Sequence, residues 1–101
     1  MKKLIWTDES LADLQAIRDF IARDSPSAAI TFLSRLTDST ERLLQFPFLG
    51  TVVVDLRRED VREILFGNYR VIYRVSQDVI RIWAVYHAAR LLDDSVIPEG
   101  E

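Results

Sequence analysis

A chain of 101 residues has room for one domain, and 49% hydrophobic with 29% charged residues is the balance of a globular protein, not of a disordered tail. The absence of cysteine excludes disulfides, thiolate chemistry and cysteine-ligated zinc, and a single histidine cannot build a His-based metal cluster, so neither a metal site nor a cofactor is expected. A net charge of −3 with a pI near 5.1 argues against a protein that holds nucleic acid with its whole surface.

The first apolar run, Leu4 to Trp6, is too short for a signal peptide or a membrane span, and the protein is expected in the cytoplasm with no membrane contact. Lys3 to Trp6 reads as a short strand. Thr7 is placed to cap a helix whose first turn holds Asp8 and Glu9, favourable at the positive end of the helix dipole. That helix should extend to about Arg23, with Leu11, Leu14, Ile17 and Ile21 as its apolar stripe and Asp13, Arg18 and Asp19 facing outward. Ser25-Pro26 is a second start signal, an N-cap followed by proline in the first helical position. Ala29, Phe32, Leu33, Leu36, Leu43 and Leu44 carry the apolar series to about Gln45, where Phe46-Pro47 ends the helix and Gly50 turns the chain.

From Thr51 the pattern changes to β-branched and aromatic residues in the runs Thr51 to Asp55, Val61 to Phe66, Tyr69 to Ser76 and Val79 to Tyr86. Gly67-Asn68 and Gln77-Asp78 are two-residue hairpin loops, so the last three runs form an antiparallel meander. No repeat, low-complexity stretch or linker precedes the acidic end from Asp93 to Glu101, of which residues 94–101 are expected to fray. The expected architecture is α+β in a single domain, 1–101: an N-terminal strand, a helical hairpin, then an antiparallel meander with both helices on one face of the sheet.

Charge is unevenly distributed. Residues 1–56 carry six Lys/Arg against eight Asp/Glu, residues 57–90 seven arginines against four acids, and the last eleven residues four acids alone. Arginine outnumbers lysine eleven to two, and its planar fork suits carboxylate, phosphate or interface recognition. With Gln77 and Asp78 as loop residues, Val75 pairs with Ile80, Tyr73 with Ile82, Val71 with Ala84 and Tyr69 with Tyr86, all suited to the helix-covered face. The other face then carries Arg70, Ile72 and Arg74 across from Val85, Trp83 and Arg81, and the same parity puts His87 there, with Glu63 neutralising part of the charge. Such a face suits a phosphate backbone or an acidic partner, with Trp83 as stacking or hydrophobic surface; the alternative is an ordinary solvated β face. His87 alone does not make a nuclease, which also needs a nucleophile activator and a transition-state clamp, so a structural or binding role fits it better. Tyr69 and Tyr73 read as core.

The stretch VREILFGNYRVIYRV, residues 61–75, followed by IRIWAVYHAAR, residues 80–90, is similar to the RelE/ParE toxin superfamily. Its members share a helical hairpin, an Arg-x-x-x-x-x-x-Tyr-Arg-x-x-Tyr strand pair and a Val-x-His-x-x-Arg ending; here those positions are Arg62, Tyr69, Arg70, Tyr73, Val85, His87 and Arg90. Trp6-Thr7, Ala12, Leu14, Ile17, the run Ser25 to Ala28 and the Pro47 to Gly50 turn extend the resemblance over residues 1 to about 94.

The superfamily holds two activities on one scaffold. RelE-type members cut messenger RNA in the ribosome with several basic residues and often a C-terminal tyrosine or histidine, whereas ParE-type members inhibit DNA gyrase with no established catalysis of their own. Arg70 matches an arginine that RelE-type nucleases use, but Ala88 stands where a further catalytic arginine is expected and no tyrosine follows Tyr86. The ending His87-Ala88-Ala89-Arg90, with Asp93 close behind, resembles the ParE type, whose usual motif has a second arginine at the position of Ala89. The resemblance thus implies a ParE-like toxin that inhibits DNA gyrase and arrests growth, with Arg70, Arg74, Arg81, His87 and Arg90 as target-binding or toxicity residues. It also implies a cognate antitoxin whose disordered C-terminal segment folds over the helices and sheet to form a hetero-oligomer. The alternatives are a ribosome-dependent mRNA endoribonuclease using Arg70, His87 and Arg90, and a nontoxic remnant that only binds antitoxin; direct nucleic-acid binding stays open.

Overall fold

The computed structural model describes residues 2–90, and the expected fraying of 94–101 lies outside the described residues. Strand β1 (Lys3–Trp6) leads into helix α1 (Asp8–Ala22), and α2 (Pro26–Glu41) follows after a short connection, continued by a 3-10 turn at Arg42–Leu44. Both helices begin as their cap residues dictate: the Thr7 side chain accepts from Ser10 N and the Ser25 side chain from Ala28 N. Strands β2 (Thr51–Val52), β3 (Val61–Phe66), β4 (Tyr69–Val75) and β5 (Val79–His87) complete an α+β fold.

The sheet order is β1-β5-β4-β3-β2. β5, β4, β3 and β2 pair antiparallel in sequence order, and β1 lies parallel to β5 at the far edge. The β3–β4 hairpin turns on Gly67, whose φ of 57° is the left-handed conformation that a two-residue loop beginning with glycine uses. The helices cover one face, where Ile17, Leu36 and Leu43 pack against Val71, Tyr73, Val75, Ile80, Ile82 and Val85. Leu11, expected in the buried stripe, is 50% exposed.

Two expectations need correction. The run Thr51 to Asp55 pairs only through Thr51 and Val52 and then bends into a 3-10 turn, Val54–Leu56. Bending lays this segment over the second face of the sheet, where Val53, Leu56 and Val61 bury Ile72, Trp83 and Ala84 in a second apolar cluster. The second face is therefore no bare solvated surface, and Trp83, 7% exposed, is core and not stacking surface.

The register also departs from strict alternation. Val75 pairs with Ile80 and Tyr73 with Ile82 as expected, but Ile72 pairs with Ala84, which makes Trp83 the extra residue of a β-bulge. Beyond it Val71 faces Val85, Arg70 faces Tyr86 and Tyr69 faces His87. The sequence hides this because Ile82 to Val85 is an unbroken apolar run flanked by buried surface on both sides, so alternation carries no parity signal there.

Tyr73 is fully buried, and its hydroxyl donates to Pro47 O at 2.9 Å while accepting from Gly50 N at 2.9 Å. A Cβ on Gly50 would sit 2.5 Å from Glu63 O and 2.7 Å from the Tyr73 hydroxyl, so only glycine lets the chain pass here. Tyr73→Phe strands both backbone groups and is expected to cost about 1–3 kcal/mol, read as a lower urea midpoint at unchanged m-value. A midpoint equal to the parent's would show that the hydroxyl tie does not stabilise the turn.

Candidate functional site

The residues singled out in the sequence fall into three groups, two at the end of β5 and one near its start. On the second face, Arg70 of β4 reaches across to Glu63 of β3, with Nε 2.7 Å from Oε2, and Nη1 donates to the Arg90 carbonyl at 3.1 Å. The pair is well shielded, with side-chain exposures of 12% for Arg70 and 18% for Glu63. The expected neutralisation of arginine by Glu63 is present. Tyr86 stands opposite Arg70, and the Arg90 guanidinium lies 3.9 Å above the Tyr86 ring in a cation–π contact.

The second group lies further along the same face. Arg74 Nε donates to Asp60 Oδ2 at 2.9 Å and Arg58 Nη2 reaches the same oxygen at 3.1 Å. Arg81 pairs directly across from Arg74 and is half-buried. Partial burial raises the Asp60 carboxyl, but the hydrogen bonds and charges of Arg58 and Arg74 outweigh it and hold Asp60 below the ordinary aspartate value. Arg58, Arg70 and Arg74 are thus each paired with a carboxylate, Arg58 and Arg74 sharing one.

His87 forms the third group and stands apart from the other two. The sequence placed it on the face of Arg70, Arg74 and Arg81; the bulge at Trp83 reverses the parity and puts it on the helix side, opposite Tyr69 with ring centroids 5.9 Å apart. Its Nδ1 accepts from Ala89 N at 3.2 Å, which leaves the ring proton of the neutral form on the exposed Nε2. His87 ends a row of edge-to-face rings, Phe66 to Phe32 at 5.2 Å and Phe32 to Tyr69 at 5.6 Å. That row borders an apolar groove between α2 and the β3–β4 turn, lined by Ala28, Thr31, Phe32, Arg35 and Phe66. Arg62, on the same side as Tyr73, bonds Gly50 O at 2.9 Å and Glu59 O at 3.1 Å and lies over the Phe48 ring, which makes it a clamp on the turn.

Sequence reasoning missed Asp13. Expected to face outward, it is half-buried and accepts from Val85 N at 3.0 Å. Burial pushes its carboxyl above the ordinary value, against the backbone hydrogen bond and the charge of Arg90. Its position four residues before Ile17, at the border of the apolar stripe, was the available signal.

The sequence model of a family described as "ParE toxin of type II toxin-antitoxin system, parDE" matches residues 4–92. The chain is 36% identical over 91 residues to a protein named "Toxin RelE2" of Caulobacter vibrioides, covering 90% of this chain and 100% of that one. It superposes with a TM-score of 0.72 on a solved structure titled "Chromosomal ParDE TA system from P. aeruginosa", at 23% identity, covering 86% of this chain and 96% of that one.

Because Asp60 is held below its ordinary value, its stabilising contribution is full above that value and is lost as the pH falls through the folded one. The stability gap between the parent and Asp60→Asn is therefore expected at neutral pH and should close in acid. Urea titrations of both proteins at several pH values check this, and a gap that stays constant or widens in acid contradicts the assignment.

Proposed function

The chain belongs to the ParE toxin family of type II toxin-antitoxin systems, and from that membership we propose that it arrests bacterial growth in the cytoplasm by inhibiting DNA gyrase. As a toxin of such a system it has an antitoxin as its partner. The observation that carries the gyrase reading is the separation of the residues a nuclease would need. RNA cleavage wants a general acid, a general base and a phosphate clamp converging on one scissile group. Here His87 and Arg70 stand on opposite faces of the sheet, and Arg70 is occupied by Glu63 and the Arg90 carbonyl. What the end of β5 offers is an exposed imidazole and an exposed arginine braced on a tyrosine, which suits binding of a protein target.

The antitoxin has apolar surface to cover. Phe20 is 64% exposed and Ile30 70% exposed on the helical hairpin, and a second groove between the helices is lined by Leu11, Leu14, Gln15, Arg18, Leu33 and Thr37. An amphipathic antitoxin segment laid along these helices would bury it. Among the described residues no helix is long and apolar enough to cross a membrane.

The test is expression of the chain without antitoxin in bacteria carrying a DNA-damage reporter. Growth is expected to stop while the reporter rises, and Arg90→Ala is expected to weaken both, since losing an interface arginine typically costs about 2 kcal/mol, or roughly thirty-fold in affinity. Arrest with a silent reporter and cut messenger RNA would replace gyrase inhibition with RNA cleavage. Undisturbed growth, with antitoxin binding intact, would leave a nontoxic antitoxin-binding chain.

A further inference from the structure

Past His87 the chain turns tightly. Ala88 N donates to Asn68 O at 2.8 Å, Ala89 N to His87 Nδ1 at 3.2 Å and Arg90 N to His87 O at 2.9 Å. The turn brings Arg90 back along β5, so that its guanidinium lies over the Tyr86 ring while its carbonyl meets Arg70 of the neighbouring strand. Arg70 divides its fork between two segments: Nε and Nη2 both meet Glu63 Oε2, and Nη1 donates to the Arg90 carbonyl. A planar guanidinium can grip a carboxylate along one edge and still offer its remaining nitrogen to a carbonyl. Glu63 and Arg70 stand on β3 and β4, whose pairing is unbroken, so the sheet itself aims that remaining nitrogen.

We propose that Arg70 is a positioning residue and not a target contact: held by Glu63, it ties down the Arg90 carbonyl and thereby sets the Arg90 guanidinium over Tyr86. The other bonds to Arg90, from its amide to His87 O and from its guanidinium to the Tyr86 ring, are made within the last residues of β5 and the turn itself. The bond from Arg70 joins Arg90 to β4 and, through Glu63, to β3. Shielding divides the roles in the same way. Arg70 and Glu63 are largely covered and engaged with each other, whereas Arg90 is exposed, so a partner arriving at this end of the sheet meets Arg90. The consequence for toxicity rests on the gyrase reading; the placement of Arg90 does not.

Nuclear magnetic resonance on the full chain separates the two. Arg70→Met alone leaves the shielded Glu63 carboxylate unpaired and is expected to fold poorly, so the tie is removed in the double variant Glu63→Gln, Arg70→Met, which takes out both charges together. In it the Arg90 Hδ protons are expected to lose the upfield shift that the Tyr86 ring imposes, and the Arg90 amide to exchange about tenfold faster. The amides of Ile72, Tyr73 and Ala84 should keep the protection they have in the parent. A parent-like Arg90 ring shift and amide exchange in the double variant would overturn the proposal. Should the double variant fail to fold, the parent decides: the Arg70 Nη protons must exchange slowly enough to be seen and must show contacts to Arg90, and their averaging with water overturns the proposal. In the growth assay the double variant should weaken arrest no more than Arg90→Ala does, and adding it to Arg90→Ala should weaken arrest no further, because both changes act on one contact. Losses that multiply would make Arg70 a target contact in its own right and overturn the proposal. A parent that fails to arrest growth counts against the gyrase reading alone, with the spectra still deciding the role of Arg70.

Discussion

Strands β4 and β5 are buried on both faces. Helices α1 and α2 close one side through Ile17, Leu36 and Leu43, and the segment from Val53 to Val61 closes the other over Ile72, Trp83 and Ala84. Everything else hangs on this pair of strands. β1 and β3 flank it, the Tyr73 hydroxyl ties its middle to the turn at Pro47 and Gly50, and the candidate site is whatever its open end presents. A strand pair packed on both sides cannot slide or twist to suit a partner without opening one of two cores. The side chains of β5 up to Val85 are therefore held in a fixed arrangement.

The arginines illustrate how far composition can mislead about a surface. Seven arginines against four acids in residues 57–90 suggest a cationic face, but Arg58 and Arg74 share Asp60, Arg70 is locked to Glu63, and Arg62 spends its donors on backbone carbonyls of the turn. Arg62 and Arg70 each hold separate segments together by more than one directed bond, a task the planar fork performs and a lysine ammonium does not. Arg90, by contrast, is exposed and stacked on Tyr86 at the end of β5.

Local signals in the sequence were sufficient for the helices and the hairpins, but not for the segment after Thr51. Thr7, Ser25-Pro26, Phe46-Pro47 and Gly67-Asn68 each act through bonds to near neighbours, and the helices and hairpins stand where they indicate. What was hidden depends on packing between distant segments. β1 could not be assigned its place beside β5, because a four-residue apolar strand carries no record of its partner. The bulge left no trace in an all-apolar run, and with it went the side of His87. Asp13 looked like a solvated helix acid because its donor lies 72 residues away along the chain. Tyr69, Tyr73 and the Glu63–Arg70 pair were legible because cross-strand alternation between β3 and β4 is unbroken.

Several local costs meet at one place. Asp13 gives up solvation where it caps Val85, the Trp83 indole Nε1 is buried without a hydrogen-bond partner among the described residues, and the β4–β5 ladder gives up its regularity at the bulge between them. A buried donor left unpaired typically costs about 1–3 kcal/mol, a sizeable fraction of the stability of a small protein. A regular ladder would avoid the bulge but would also exchange the sides of Tyr86 and His87, breaking the stack that braces Arg90 and the ring row that ends at His87. Sequences tend to break local rules where a particular geometry is needed, and these costs cluster within two residues of Trp83 in the middle of β5.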